Sequence, residues 1–241
     1  MAKLSIKDAL IADLKPYTDN PRVLLLPEDV TSKMKVPEEW VTLLQQQQAG
    51  ESKPWVNLWQ DFASALPATL TFLRNRVFCV AILLEDDRPP SLIYVYKSDG
   101  GYEFYRGGMP LKNTIPEHLA DVWQTFPATL RRLYEIHDGW VYLPSDALGP
   151  LPTEEIISMT AEDLDLDDKD LKKLPFQIEK VYPVFSSGGG DYIWLDTGHA
   201  DMDGEASALI WLHEKPTQPK VNIDFWSTLN GWMEIGFKDD E

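Results

Sequence analysis

The sequence predicts an α+β protein, with a mixed or antiparallel sheet flanked by helices, and three observations lead there. Runs rich in β-branched and aromatic residues at 77–84, 92–96 and 102–105 are joined by turn-forming residues, so they read as hairpins. Stretches with apolar residues at helical spacing lie before and after these runs. A second set of strand-like runs, at 181–185, 192–196 and 208–214, is punctuated by the loop Ser186-Ser187-Gly188-Gly189-Gly190-Asp191 and followed by a helical stretch that begins at Asp224.

From the N-terminus, Leu4, Ile6, Leu10, Ile11 and Leu14 mark a short helix that Pro16 stops. Residues 23–26 form a brief apolar run, a strand or a segment lying on the core. A helix follows from Pro37 through Val41, Leu43 and Leu44, and the glutamines at 45–48 read as its fraying end or as a linker. Trp55, Leu58, Trp59, Phe62, Leu66, Leu70 and Leu73 recur at helical spacing, with Pro67 dividing the stretch into two helical pieces. A stripe this aromatic is expected in the core. The hairpin runs complete a helix-plus-meander unit, in which Gly100 and Gly101 supply the conformational freedom of a tight turn.

A helix is then expected from the candidate caps Asn113 and Thr114, with Pro116 in its first turn and Leu119, Val122, Trp123 and Phe126 on one face. Pro127 restarts the register, and Leu130, Leu133, Tyr134 and His137 carry an apolar face into Asp138-Gly139, where glycine can end the helix. A strand should occupy 140–143.

The order Phe126-Pro127, Ile136-His137-Asp138-Gly139-Trp140, Tyr182-Pro183-Val184-Phe185, the glycine loop, Tyr192-Ile193-Trp194-Leu195-Asp196, 208–214 and the helix from Asp224 resembles the SUKH superfamily, specifically its Smi/Knr-type members. His137-Asp138-Gly139 departs from the family's usual asparagine-glycine turn, and the first helix lacks the common glutamate-rich opening. The resemblance covers about the C-terminal half and implies a SUKH-like domain over 113–241 preceded by an N-terminal helical and β-meander extension over 1–112. It implies a protein-binding function: a bacterial immunity protein that neutralises a cognate protein toxin by blocking its active site. A non-immunity adaptor or regulatory scaffold of the same superfamily is the alternative, and an enzyme comes third.

Composition bounds these possibilities. A chain of 241 residues that is 44% apolar can bury a sizeable core. No apolar stretch approaches the roughly 20 residues that span a bilayer, and the first residues lack an apolar block before a cleavage site, so a cytoplasmic location without membrane association is expected. The single cysteine, Cys79, sits in a strand-like run and is expected to be an inert core thiol. Lys and Arg number 22 against 39 Asp and Glu, a net charge of −17; this balance argues against a nucleic acid partner, and it serves either to attract a basic protein or simply to keep the chain soluble.

No motif points to a catalytic residue, a cofactor or a metal. The glycine loop precedes a strand rather than a helix, so it reads as a turn instead of a phosphate cradle. Asp196, His199, Asp201, Asp203 and Glu205 hold only a fragment of the calcium-loop pattern and are expected to form a solvated turn. His118, His137, His199 and His213 are scattered, with no nucleophile placed beside them by local spacing. Residues 154–170 carry eight acids, Glu154, Glu155, Glu162, Asp163, Asp165, Asp167, Asp168 and Asp170, against one base, Lys169. The run is either a solvated acidic loop or a docking edge for a basic partner, and on the second view Asp163, Asp165, Asp167, Asp168 and Asp170 are the candidate partner-binding residues.

Overall fold

Two five-stranded antiparallel sheets and the helices packed on them form an α+β fold. The computed structural model of the protein describes residues 5–112, 114–162, 164 and 166–238. Helix α1 (Ile6–Leu14) starts at Ser5, whose hydroxyl accepts the Asp8 backbone N–H at 3.2 Å, and it ends before Pro16. Strand β1 (Arg22–Leu24) follows, and α2 (Glu38–Gln48) continues through the glutamine run. Gln47 is no fraying end: its side-chain amide donates to the Val80 carbonyl at 3.1 Å and accepts the Val80 N–H at 2.9 Å. β1 stops pairing at Ile82, so Gln47 supplies the ladder contacts that a longer β1 would have made.

The tryptophan stretch divides at Pro67 as expected, into Pro54–Phe62 and α3 (Pro67–Asn75), but its first piece winds as a tighter 3₁₀ helix. Packing overrides the helical spacing here. Trp55, Trp59 and Phe62 are all buried, with the Trp55 indole donating to the Leu73 carbonyl at 3.1 Å and Trp59 to the Tyr94 hydroxyl at 3.0 Å. Strands β2 (Cys79–Leu84), β3 (Ser91–Ser98) and β4 (Gly101–Gly107) form the expected meander. The expected helix over 114–126 is absent: the chain makes two isolated 3₁₀ turns, Glu117–Leu119 and Trp123–Thr125. Pro127 forces Phe126 into an extended conformation, and Leu119, Trp123 and Phe126 reach the core from those turns. Asn113, one of the two candidate caps, lies outside the described residues.

Helix α4 (Ala128–Tyr134) leads through the Asp138-Gly139 turn into β5 (Trp140–Tyr142), which pairs with β4 and completes the sheet order β1-β2-β3-β4-β5. The second sheet is ordered β10-β9-β8-β7-β6, from β6 (Gly149–Pro150), β7 (Val181–Ser186), β8 (Tyr192–Ala200), β9 (Ala206–Trp211) and β10 (Lys220–Val221). The sheets adjoin where β5 turns into β6: Tyr142 donates its N–H to the Ala147 carbonyl at 2.7 Å. Gly149 is essential to that approach, because a Cβ there would sit 1.8 Å from the Trp140 carbonyl oxygen. The glycine loop is a β7–β8 turn closed by Ser187 N–H donating to the Asp191 carbonyl at 2.9 Å. Between β6 and β7 lies the short helix α5 (Asp168–Leu171), and α6 (Phe225–Gly236) closes the fold, capped by Asp224, which accepts the Ser227 N–H at 2.8 Å.

The first sheet is covered on both faces. Leu10 and Leu14 of α1 pack on one face with Val23, Leu83, Ile93 and Phe104, while α2, the tryptophan segment, α3 and α6 cover the other. That larger core runs on into the second sheet through Phe185, Ile193 and Leu195. Residue 112 falls between β4 and β5, which are paired, and Tyr105 stacks on Trp140 at 4.4 Å across the same junction.

Candidate functional site

Side chains on a strand alternate between faces, so residues two apart share one. Leu83, Ile93 and Phe104 lie on the α1-covered face of the first sheet, which places Glu85, Ser91 and Arg106 on that face at its far rim. Leu83 opposes Ser91 in the ladder and Ile93 opposes Arg106. Where α1 no longer covers the sheet, the apolar pattern gives way to these three polar side chains.

Arg106 is the centre of the group. Its guanidinium lies 3.8 Å from the Glu85 carboxylate and pairs closely with Asp146, which the β5–β6 turn brings over from further along the chain. The Arg106 and Glu85 side chains are only 10% and 8% exposed. Burial pushes the Glu85 carboxyl above its ordinary value, against the opposing pull of Arg106 and Arg88.

The other wall is the Asp138-Gly139 turn. Gly139 has φ 75°, in the left-handed region, and a Cβ there would meet the Pro152 nitrogen at 2.6 Å. Its absence lets the 151–153 segment pack against the turn, where Asp138 accepts both the Thr153 N–H at 2.7 Å and the Thr153 hydroxyl at 3.0 Å. Burial raises the Asp138 carboxyl, and the two Thr153 bonds pull it back. Between the walls lies an open cleft of about 370 Å³ whose lining includes Glu85, Arg88, Ser91, Arg106, Asp138 and Glu154. A groove of about 590 Å³ adjoins it and shares Met109, Asp138 and Glu154.

The cleft is anchored to the core through His137. This side chain is 1% exposed, packed against Trp40, Trp59 and Tyr94. The Trp59 indole donates to the Tyr94 hydroxyl, so that hydroxyl is free to donate onward to His137 Nε2, 2.7 Å away. His137 Nδ1 then carries the proton and donates to the Gly108 carbonyl at 3.3 Å, a tautomer assigned from the network. Burial lowers its pKa to about 4, consistent with a neutral ring whose two nitrogens are both engaged. The arrangement holds a turn in place and leaves no lone pair for proton abstraction. Cys79 is likewise buried, which pushes its thiol up to about 12 and away from the reactive thiolate.

The candidate partner-binding aspartates are arranged differently. Asp163 and Asp165 lie outside the described residues. Asp167 caps α5, accepting the N–H groups of Lys169 and Asp170 at 2.8 Å each, and Asp170 pairs with Lys173 at 2.6 Å, so both have structural partners close by in the sequence. Asp168 is exposed, and none of these three lines the cleft. Glu154, at the start of the same acidic run, does.

In the 196–205 segment, which carries a fragment of the calcium-loop pattern, the carboxylates hold the chain. Asp196 accepts the Gly198 N–H at 2.9 Å and lies 2.7 Å from His199 Nδ1. Asp201 accepts the N–H groups of Asp203 and Glu205 at 2.9 and 3.0 Å, and Glu205 caps α4 through the Ala128 N–H at 2.6 Å. Among the described residues no three His, Cys, Asp or Glu side chains converge as a metal site.

Sequence inspection missed Glu85, Ser91, Arg106 and Asp138 as a group. The available signal was parity: continuing the 79, 81, 83 face of β2 places Glu85 beside whatever β3 and β4 present there. Comparison with protein-family models, curated proteins and solved structures found no match.

Proposed function

We propose that the chain is a cytoplasmic immunity protein, one that binds a basic bacterial protein toxin and neutralises it by blocking its active site, as the resemblance to the Smi/Knr-type SUKH proteins implies. The observation that carries the proposal is an open cleft lined by four carboxylates, Glu85, Asp87, Asp138 and Glu154, on a protein whose net charge is −17. A surface of this sign steers a cationic partner towards itself and speeds its capture. Two further features support binding over turnover: His137 is tied up at both ring nitrogens, and the Cys79 thiol is buried. No helix among the described residues is long and apolar enough to cross a membrane, which is compatible with a cytoplasmic partner.

Co-expression with a toxin domain encoded in a neighbouring gene should restore growth, and the two proteins should co-purify; a neighbourhood that encodes no toxin would favour the adaptor. Co-purification without rescue would favour an adaptor, and failure of both would sink the proposal. The acidic run is tested separately by association kinetics across a salt series. Changing Asp163, Asp165, Asp167, Asp168 and Asp170 together to asparagine should slow association, most of all at low ionic strength, and more per charge removed than neutralising Asp239, Asp240 and Glu241. Equal loss per charge would assign the effect to net charge alone.

A further inference from the structure

We infer that the cleft at the rim of the first sheet receives an arginine side chain of a basic protein partner, an inference that rests on the partner-binding function proposed above. Glu85, Asp87, Asp138 and Glu154 line the cleft against two guanidinium groups, those of Arg88 and Arg106. Arg106 is already engaged by Glu85 and by Asp146, and the four lining carboxylates outnumber the two lining cations. Burial holds the Glu85 carboxyl above its ordinary value in spite of both arginines, and a further cation would relieve that cost.

Ser91 supplies an independent observation. It is 4% exposed, its hydroxyl has no hydrogen-bond partner among the described residues, and strand parity places it on the same face as Glu85 and Arg106, lining the cleft. Buried hydroxyls ordinarily find a partner, and an incoming N–H donor would provide one. The geometry also selects among cations. A metal ion needs ligands that converge on a point, and among the described residues none do. The carboxylates instead stand on separate walls: Glu85 at the end of β2, Asp138 in the turn before β5, and Glu154 in the 3₁₀ turn Thr153–Glu155. A guanidinium, planar and carrying five N–H donors, can reach several such acceptors at once, whereas an ammonium acts as a point charge. A cleft of about 370 Å³ has room for one side chain, and the adjoining groove gives the flanking peptide a path.

The arginine site itself can be tested without a toxin. Isotope-labelled protein is titrated with N-acetyl-L-arginine amide and, in parallel, with the neutral isostere N-acetyl-L-citrulline amide. Saturable amide shifts at 85–91, 106–109 and 138–141 with the arginine probe alone are expected. Glu85→Gln should weaken that response by about thirty-fold, as loss of a desolvated charge partner does. Glu154→Gln, an exposed change that leaves the Arg106 pairs intact, should weaken it about three-fold and guards against a folding defect in the first variant. Equal responses to both probes, or an arginine response unchanged in Glu154→Gln and in a folded Glu85→Gln, would overturn the inference. If instead the toxin binds the Glu85→Gln variant as tightly as the natural protein, the arginine site is lost and the partner-binding function survives.

Discussion

At the rim of the first sheet, Glu85, Asp138 and Glu154 arrive from separate stretches of sequence to line one cleft with Arg106, which Asp146 also pairs, whereas residues 167–170 hold three aspartates almost side by side. The second region is the denser in sequence, yet its described aspartates are used locally: one caps a helix, one pairs with the next turn's lysine, and one faces solvent. Adjacent like charges repel and spread into water, so a run of them forms a flank more readily than a site. Carboxylates brought by the fold to separate walls of one cleft can be held there because a rigid scaffold resists that repulsion. His137, one residue from Asp138, is the fastening that ties the cleft wall to the scaffold.

Breaking that fastening should have the largest effect. His137→Ala would leave a cavity among Trp40, Trp59 and Tyr94 and strip the Tyr94 hydroxyl of its acceptor, at a cost of about 3–5 kcal/mol by chemical denaturation. A cost below about 1 kcal/mol, the ordinary range of surface changes, would mean that the cleft is not anchored there.

Next in size is the cation at the centre. Arg106→Met leaves the nearly buried Glu85 carboxylate without its salt-bridge partner, with only the weaker pull of Arg88 remaining, and should cost about 3 kcal/mol. Adding Glu85→Gln to that variant should recover part of the loss, because the uncompensated charge is then gone. Additive losses in the double variant would show that the two side chains do not interact.

Acid titration separates the two kinds of group. His137 has a folded pKa of about 4 against an ordinary 6.5, so the unfolded chain binds the proton more readily. Stability is therefore lost as pH falls from 6.5 towards 4, by on the order of 3 kcal/mol in all. Glu85 has the opposite sign: its raised folded pKa means that protonation favours the folded state as pH falls towards 4.5. Glu85→Gln removes this opposing contribution, so the acid loss should steepen in that variant. A shallower curve would contradict the assigned directions.

The smallest effect belongs to the acidic run. Asp167→Ala removes two accepted N–H bonds at the start of α5 and should ease its local opening by about 1 kcal/mol, seen as faster exchange of the Lys169 and Asp170 amides. Faster exchange spreading into β7 would show instead that this segment is coupled to the second sheet.

Periodicity and turn chemistry were enough to determine the α+β class, the meander of β2, β3 and β4, the turn at 186–191, the closing helix capped by Asp224, and the burial of Trp55, Trp59 and Phe62. These features depend on residues near one another in the chain, whose preferences act before distant parts meet. Tertiary structure decided what depends on distant partners. The tryptophan segment tightened to 3₁₀ to suit its indole contacts, and the helix expected over 114–126 broke into turns that deliver Trp123 and Phe126 to the core. Helices α3 and α4, entered from Leu66 and Pro127 without side-chain caps of their own, borrow acceptors from Asn230 and Glu205 far along the chain. The cleft belongs to the same class. Strand parity made the face of Glu85 legible, but only the ladder register across β2, β3 and β4 and the close approach allowed by Gly139 bring Ser91, Arg106 and Asp138 to it, because hydrogen-bonded register and steric fit are set between segments rather than within them.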